Sequence, residues 1–170
     1  MAHARKTCIL GDFAVGKTSL VRRYVLNEFS HDYKATIGVN VYKFSDQLDP
    51  GDGTCLEQII WDIEGSGLSR ELLGNYIEGA SGALVVGDVT RADALSSMTD
   101  HARLFQERLP GRPVVFAFNK VDLIAPHQWP SGDPLAAEFG TNVVYTSAAT
   151  GSAVPELFRT LGRSMLQVDA

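Results

Sequence analysis

The sequence predicts an α/β architecture: a six-stranded, mostly parallel sheet with one antiparallel edge strand and helices on both faces. Three observations carry this expectation. Apolar runs at 7–10, 83–86, 114–118 and 143–145 are short, rich in β-branched or aromatic residues, and do not alternate. Strands covered on both faces of a parallel sheet have that composition. Helical spacing of apolar residues occupies the intervals between several of these runs. Finally, residues 39–48 and 54–62 flank Asp49-Pro50-Gly51-Asp52-Gly53, a turn-forming cluster that marks an antiparallel hairpin.

Each element follows in order. The run at 7–10 is the first strand, and Leu20, Val21, Tyr24 and Val25 share one face of the helix after it. The hairpin comes next, then a helix, then the strand at 83–86. Leu95, Met98, Ala102 and Phe105 form the buried stripe of the next helix, which leads to the strand at 114–118. Residues 125–134, APHQWPSGDP, read as an irregular surface loop. A further helix precedes the strand at 143–145. Leu157, Phe158, Leu161 and Met165 line the last helix, with Pro155 in its first turn, where a missing N–H costs little. At 170 residues the chain is expected to form a single domain spanning 1–170. Folding at that size removes roughly 70% of the unfolded surface from water.

Composition narrows the function. The formal net charge of −5 argues against nonspecific nucleic-acid binding and against an anionic membrane surface. A local phosphate site remains open, because backbone N–H groups build such sites. Cys8 and Cys55 lie in apolar runs outside any C-x-x-C and read as buried thiols in a reducing compartment. The four histidines show no metal-ligand spacing. No apolar stretch approaches the roughly 20 residues of a membrane span. MAHARK is not followed by a signal-type apolar region, and SMLQVDA contains no cysteine for a prenyl anchor. A cytoplasmic monomer without a lipid anchor is expected.

In such a sheet, ligands bind outside the carboxyl ends of the strands. After the first strand stands Gly11-Asp12-Phe13-Ala14-Val15-Gly16-Lys17-Thr18, a G-x-x-x-x-G-K-[ST] between strand and helix. Its N–H groups can curl around a phosphate at the positive end of the helix. Lys17 can reach the β- and γ-phosphates, and the Thr18 hydroxyl can bind Mg²⁺. Asn119-Lys120-Val121-Asp122 follows the strand at 114–118. A carboxylate at Asp122 can accept from guanine N1–H and the 2-amino group. Adenine lacks that donor pair and would leave Asp122 unpaired. Asn119 can tie this loop to the phosphate loop, and the Lys120 stem can lie against the base. After the last strand comes Thr146-Ser147-Ala148, where the Ala148 N–H can reach guanine O6; by itself it is a polar strand-to-helix turn.

Taken together these residues resemble the Ras superfamily of small GTPases, most closely its Rab branch. The resemblance covers nearly the whole chain. It rests on GDFAVGKTSL at 11–20, ATIGV at 35–39, WD-x-x-G at 61–65, NKVD at 119–122 and TSA at 146–148. Residues 76–90, YIEGASGALVVGDVT, also resemble the Rab segment after the second switch. The absent lipid tail departs from eukaryotic Rabs and points to a prokaryotic Rab-like protein or an isolated domain. The resemblance implies a P-loop GTPase G domain that binds GTP or GDP with Mg²⁺. It places Asp12, Phe13, Ala14, Val15, Gly16, Lys17, Thr18 and Ser19 on the phosphates, and Leu123, Ser147, Ala148 and Ala149 beside the base with Asn119, Lys120 and Asp122. Thr36 becomes the first-switch threonine, its hydroxyl on Mg²⁺ and its N–H on the γ-phosphate. Phe29 falls where the family packs an aromatic edge on guanine, and Tyr33 where it closes a tyrosine over the phosphates; without the resemblance both read as ordinary packing residues. Asp62 would hold a Mg²⁺-bound water, so the metal set is Thr18, Thr36 and Asp62. Lys17, Thr36, Gly65 and Ser66 form the catalytic set. Effectors and regulators are expected to meet switch regions 30–41 and 63–77. Ile37, Val39, Trp61 and Leu68 suit such an interface, or equally a core. Arg22, Arg23 and Arg70 read as solvated charges.

Three residues depart from the family pattern. Ser66 stands where the family has a glutamine that orients the attacking water, and its reach is shorter. Phe13 puts a ring in the phosphate loop, where it would obstruct an arginine supplied in trans, unless it folds back over the loop. Glu64 replaces a common alanine and could orient water, repel phosphate or face solvent, the last being the expectation. Two functions follow: a slowly hydrolysing GTP switch, or a module that holds guanine nucleotide without turning it over.

Overall fold

Every residue of β4 (Gly82–Asp88) and β5 (Val114–Asn119) is buried, which explains their unbroken apolar composition. The computed structural model describes residues 3–170. Before these strands come β1 (His3–Gly11), α1 (Lys17–Leu26), β2 (Val39–Asp49), β3 (Thr54–Ile63) and α2 (Arg70–Ile77). α3 (Ala94–Arg108) joins β4 to β5, and α4 (Asp133–Phe139), β6 (Val143–Tyr145) and α5 (Val154–Val168) complete the chain. The six strands lie in the order β2-β3-β1-β4-β5-β6, and only the edge strand β2 is antiparallel to its neighbour. This is the predicted architecture, with the hairpin at its predicted place.

Alternate strand residues feed two cores. Ile9, Leu84, Val86, Val115 and Ala117 meet α1 and α5 through Leu20, Val21, Leu157, Phe158, Leu161 and Met165. Cys8, Leu10, Ala83, Val85, Val114 and Phe116 point the other way, toward Met98, Ala102 and Phe105 of α3 and Leu135 of α4. The period of two is therefore present but invisible in hydropathy, since both faces are covered. β1 sits between β3 and β4, pairing Ile9 with Asp62 and Gly11 with Val86. The chain turns to one side after β1 and to the other after β3. The carboxyl end of β1 is thus a topological switch point, where a crevice opens.

Two expectations need correction. Cys8 is buried, and burial pushes its thiol up to about 12, but Cys55 is exposed. Cys55 shares a face of β3 with Glu57, opposite the buried Leu56 and Gln58. Residues 125–134 are not wholly irregular. Pro126–Gln128 form a 3₁₀ turn, and α4 begins at Asp133. Tyr145 anchors the segment: its ring stacks on Trp129 at 5.3 Å, its hydroxyl donates to Pro130 O (2.7 Å) and accepts from Gly132 N–H (2.9 Å). Among the described residues no helix is long and apolar enough to cross a membrane.

Candidate functional site

At the carboxyl edge of the sheet lies a cleft of about 950 Å³. Phe13, Ala14, Gly16, Lys17, Thr18, Ser19, Tyr33, Thr36 and Gly65 line one end, and Phe29 is also part of the wall. Asn119, Lys120, Asp122, Leu123, Ala148 and Ala149 line the other. Five expected site residues do not line it, among them Asp62, which is fully buried beside Thr18. The Val15 side chain is in the core, and Ser147 is buried, its hydroxyl donating to Asp122 Oδ1 at 2.7 Å. Asp12 turns to α3, accepting from the Ser97 hydroxyl and meeting His101 Nε2 at 3.0 Å. Ser66 is exposed and lines a separate cavity of about 220 Å³ with Glu64, Leu73 and His101.

The loop after β1 is shaped by backbone that needs glycine at its end. Gly16 has φ +101°, and a Cβ there would meet Asn119 Nδ2 at 2.3 Å. Lys17 folds across the loop, its ammonium donating to Gly11 O (2.8 Å) and Asp12 O (2.9 Å). Burial lowers its pKa from 10.5 to about 8, against the raising pull of Asp62 and Asp12. An anion in the cleft would restore the charge.

Beside Lys17, the Thr18 hydroxyl lies 2.6 Å from Asp62 Oδ2 and 2.7 Å from Thr36 Oγ1. Asp62 is fully buried, and its Oδ1 has no hydrogen-bond partner among the described residues. Burial raises its pKa, while Thr18, Lys17 and Thr36 oppose the shift. A buried, half-satisfied carboxylate between two hydroxyls fits a hard divalent cation. Among the described residues no group of three His, Cys, Asp or Glu could hold a metal, so a cation here would complete its shell with phosphate and water oxygens. Gly65 runs under this cluster. A Cβ there would lie 2.6 Å from Lys17 Nζ and from Phe13 N, so only glycine lets the second switch approach the phosphate loop.

The base-side loop is locked to the phosphate loop. Asn119 Nδ2 donates to Val15 O (3.0 Å), and its Oδ1 accepts from Thr146 Oγ1 (3.1 Å) and Ala148 N (3.3 Å). The Ala148 N–H, expected on a base, thus points at Asn119 here. Lys120 Nζ donates to Ala14 O (2.7 Å) and pairs with Asp88 at 2.9 Å.

Sequence reasoning missed several supports. Asp88 is 3% exposed; burial alone would raise its pKa, but hydrogen bonds from Thr90 and Lys120 outweigh it and leave it lowered. Arg91 donates to Phe13 O at 2.7 Å. Asp88 ends β4 and Arg91 follows it, where the strand-end rule alone could have flagged them. Arg23 is not merely a solvated charge: it donates to Ala148 O and Ala149 O, both at 2.8 Å. Arg22 and Arg70 form exposed pairs with Glu28 and Glu107.

The departures also resolve. Phe13 does not fold back; it is 47% exposed and meets the Tyr33 ring edge at 5.3 Å. Glu64 does not simply face solvent, because its carboxylate accepts from Gly38 N–H at 2.8 Å. Ile37 is 89% exposed and Val41 53%, while Val39, Trp61 and Leu68 pack against the core.

A family model described as the Ras family matches residues 6–167. Ras-related protein Rab-31 of Rattus norvegicus is 32% identical over 167 residues, covering 96% of this chain and 84% of its own. Ras-related protein RABA5e of Arabidopsis thaliana is 37% identical over 158 residues, covering 90% and 70%. GTP-binding protein ypt3 of Schizosaccharomyces pombe is 31% identical over 159 residues, covering 92% and 73%. With this match spanning the sheet, the phosphate loop and the base-side loop alike, the chain belongs to the Ras family and is a Rab-like small GTPase.

Proposed function

We propose that the chain is a one-domain guanine-nucleotide switch that binds Mg²⁺ with GTP or GDP and hydrolyses GTP slowly. The observation that carries this reading is the buried, half-satisfied Asp62 beside Thr18, Thr36 and Lys17, at one end of a cleft whose other end presents Asp122. Thr18 and Thr36 would hold the cation directly and Asp62 through water. When bound, Mg²⁺ neutralises phosphate charge. Lys17 leaves its two backbone carbonyls for the β- and γ-phosphates, and the Gly65 N–H faces the terminal phosphate. The backbone groups of 12–19 cradle the phosphates, and Asp122, steadied by Ser147, reads guanine. These positioning and charge terms supply most of what phosphoryl transfer needs.

The slow rate follows from what is not in the cleft. Ser66 lines the neighbouring cavity, and its short side chain does not extend to a water in line with the terminal phosphate, a reach that glutamine would add. Phe13 and Tyr33 stand where an arginine supplied in trans would enter, a contribution worth roughly 10³–10⁵ in rate where present. Exposed Ile37 and Val41 in 30–41, with the segment 63–77, are the proposed face for effectors and regulators. Ser66's position also favours a second reading, a nucleotide-holding module without turnover. Single-turnover hydrolysis of bound GTP decides between them. A slow rate that Ser66→Gln raises supports the switch; a rate equal to buffer, with and without cell extract, supports the module.

A further inference from the structure

We infer that Arg91 is a positioning residue for the nucleotide's phosphates, holding the Phe13 carbonyl away from the cleft so that the next N–H, that of Ala14, is aimed at an anion. This role rests on the nucleotide-binding reading above and deepens it at the phosphate end of the same site. Arg91 does not line the cleft, yet its guanidinium donates to Phe13 O at 2.7 Å. Lys120 donates to Ala14 O at 2.7 Å, and Asn119 Nδ2 to Val15 O at 3.0 Å. Three successive carbonyls of the phosphate loop are therefore each held by a side chain at or just past the carboxyl end of β4 or β5. None of these peptide bonds is cis, so each carbonyl and the N–H that follows it lie in one plane and point in opposite directions. Fixing carbonyls 13, 14 and 15 fixes the N–H groups of Ala14, Val15 and Gly16.

Asp88 sets the two cations in place. It ends β4 in register with Asn119 at the end of β5. Its Oδ1 accepts from the Thr90 N–H at 2.8 Å and the Thr90 hydroxyl at 2.6 Å. Its Oδ2 faces Lys120 Nζ at 2.9 Å and Arg91 Nε at 3.7 Å. The Arg91 N–H closes the turn on Asp88 O at 3.0 Å, which limits where the guanidinium can reach. One buried carboxylate thus orients two cations toward neighbouring carbonyls of one loop. That loop needs support. Ala14 has φ +60° and Lys120 φ +67°, left-handed backbone that is costly for a residue with a side chain and persists only where its surroundings hold it. Successive N–H groups in such a turn form a concave anion site. Donors fixed before the anion arrives lose little freedom on binding, so the affinity for phosphate rises. Of the three side chains, Arg91 alone lies outside 119–122, so it can be changed without touching the base pocket. Its side chain is 33% exposed, and Asp88 keeps Thr90 and Lys120 when it is removed.

Release of a fluorescent GDP from the full chain in Mg²⁺ tests this, together with the phosphorus NMR spectrum of bound GDP. Arg91→Ala should speed release about tenfold, the low end for a lost hydrogen bond to a charged group, with the change in the off-rate. Its bound-phosphate resonances should move, because the N–H groups around them are aimed differently. Arg91→Lys keeps a charged donor and should lie nearer wild type than alanine in both readings. Arg103→Ala removes a positive charge from α3, where Arg103 pairs with Glu138 in solvent, and should match wild type in both. Should Arg91→Ala not fold by circular dichroism, Arg91→Met, which keeps an apolar stem without a donor, is read in its place. Faster release with unmoved phosphate resonances means general loosening and overturns the inference. So does a lysine variant equal to alanine, or an Arg103→Ala that behaves like Arg91→Ala. Wild type that binds no GDP refutes the nucleotide reading and this role with it. Wild type that binds while Arg91→Ala releases GDP at the same rate refutes this role alone.

Discussion

Replacing Asn119 with alanine should be the most costly single change at the junction of the two nucleotide loops. Asn119 is 1% exposed, and its amide makes three hydrogen bonds, to Val15 O, Thr146 Oγ1 and Ala148 N. Alanine leaves all three partners behind. Thr146 is fully buried and Ala148 and Val15 nearly so, so water cannot readily replace the amide. A buried neutral group stripped of its partner costs about 1–3 kcal/mol, and taking the low end for each gives about 3 kcal/mol in total. For a chain of this length each kcal/mol moves the midpoint about 2–4 °C, so a drop of roughly 6–12 °C is expected. The assay is thermal unfolding followed by circular dichroism at several Mg²⁺–GDP concentrations, extrapolated to zero ligand. The extrapolation matters because ligand binding adds its own stabilisation. A shift under about 2 °C at zero ligand would refute the argument that these bonds are unreplaced.

Lys17 makes GDP affinity depend on pH. Its ligand-free pKa is about 8 against 10.5 in an unfolded chain, so between those values the unfolded chain binds more protons and ligand-free stability rises with pH. Phosphate restores the charge, so binding takes up a proton and affinity should fall above pH 8, approaching about tenfold per unit. Titration calorimetry from pH 7 to 9 should show that fall in wild type and a flat profile in Lys17→Arg. A flat wild-type profile would refute the lowered pKa of ligand-free Lys17. Asp122→Asn should weaken GDP binding and favour xanthosine diphosphate, since the amide offers a donor where guanine also donates. Unchanged GDP affinity would refute the base-pocket assignment. A maleimide should label native protein once, at Cys55, and Cys55→Ser should abolish rapid labelling. Two fast equivalents would contradict the burial of Cys8.

The fold was legible because its signals are local. Doubly covered strands, the DPGDG turn and the stripes of α3 and α5 each fit within a short window. The phosphate and base motifs were legible because each follows a strand end directly. What escaped notice acts over long separations. Arg23 reaches Ala148 across 125 residues, and Arg91 reaches Phe13 across 78. An arginine's partner is chosen by topology, so its own neighbours in sequence say nothing about it. Glu64 illustrates the same limit, since its use depends on how closely the hairpin brings Gly38. Cys55 was misplaced by parity: one step along β3 turns a side chain from the core to the open face.

The unequal edges of the sheet differ in how readily they would pair with another strand. β6 offers three residues, too short to template another strand, whereas β2 offers eleven. A long free edge invites pairing and, in bulk, precipitation. β2 carries its own deterrents. Exposed Lys43, Ser45 and Gln47 alternate along its open face, and the register slips between Gln47 and Asp49. That irregularity twists the strand's far end away from a flat partner, and Lys43, paired with Glu57 at 3.2 Å, keeps this flank charged and polar. Smoothing the strand by Lys43→Val would leave the cleft untouched and turn its open flank into an aggregation seed.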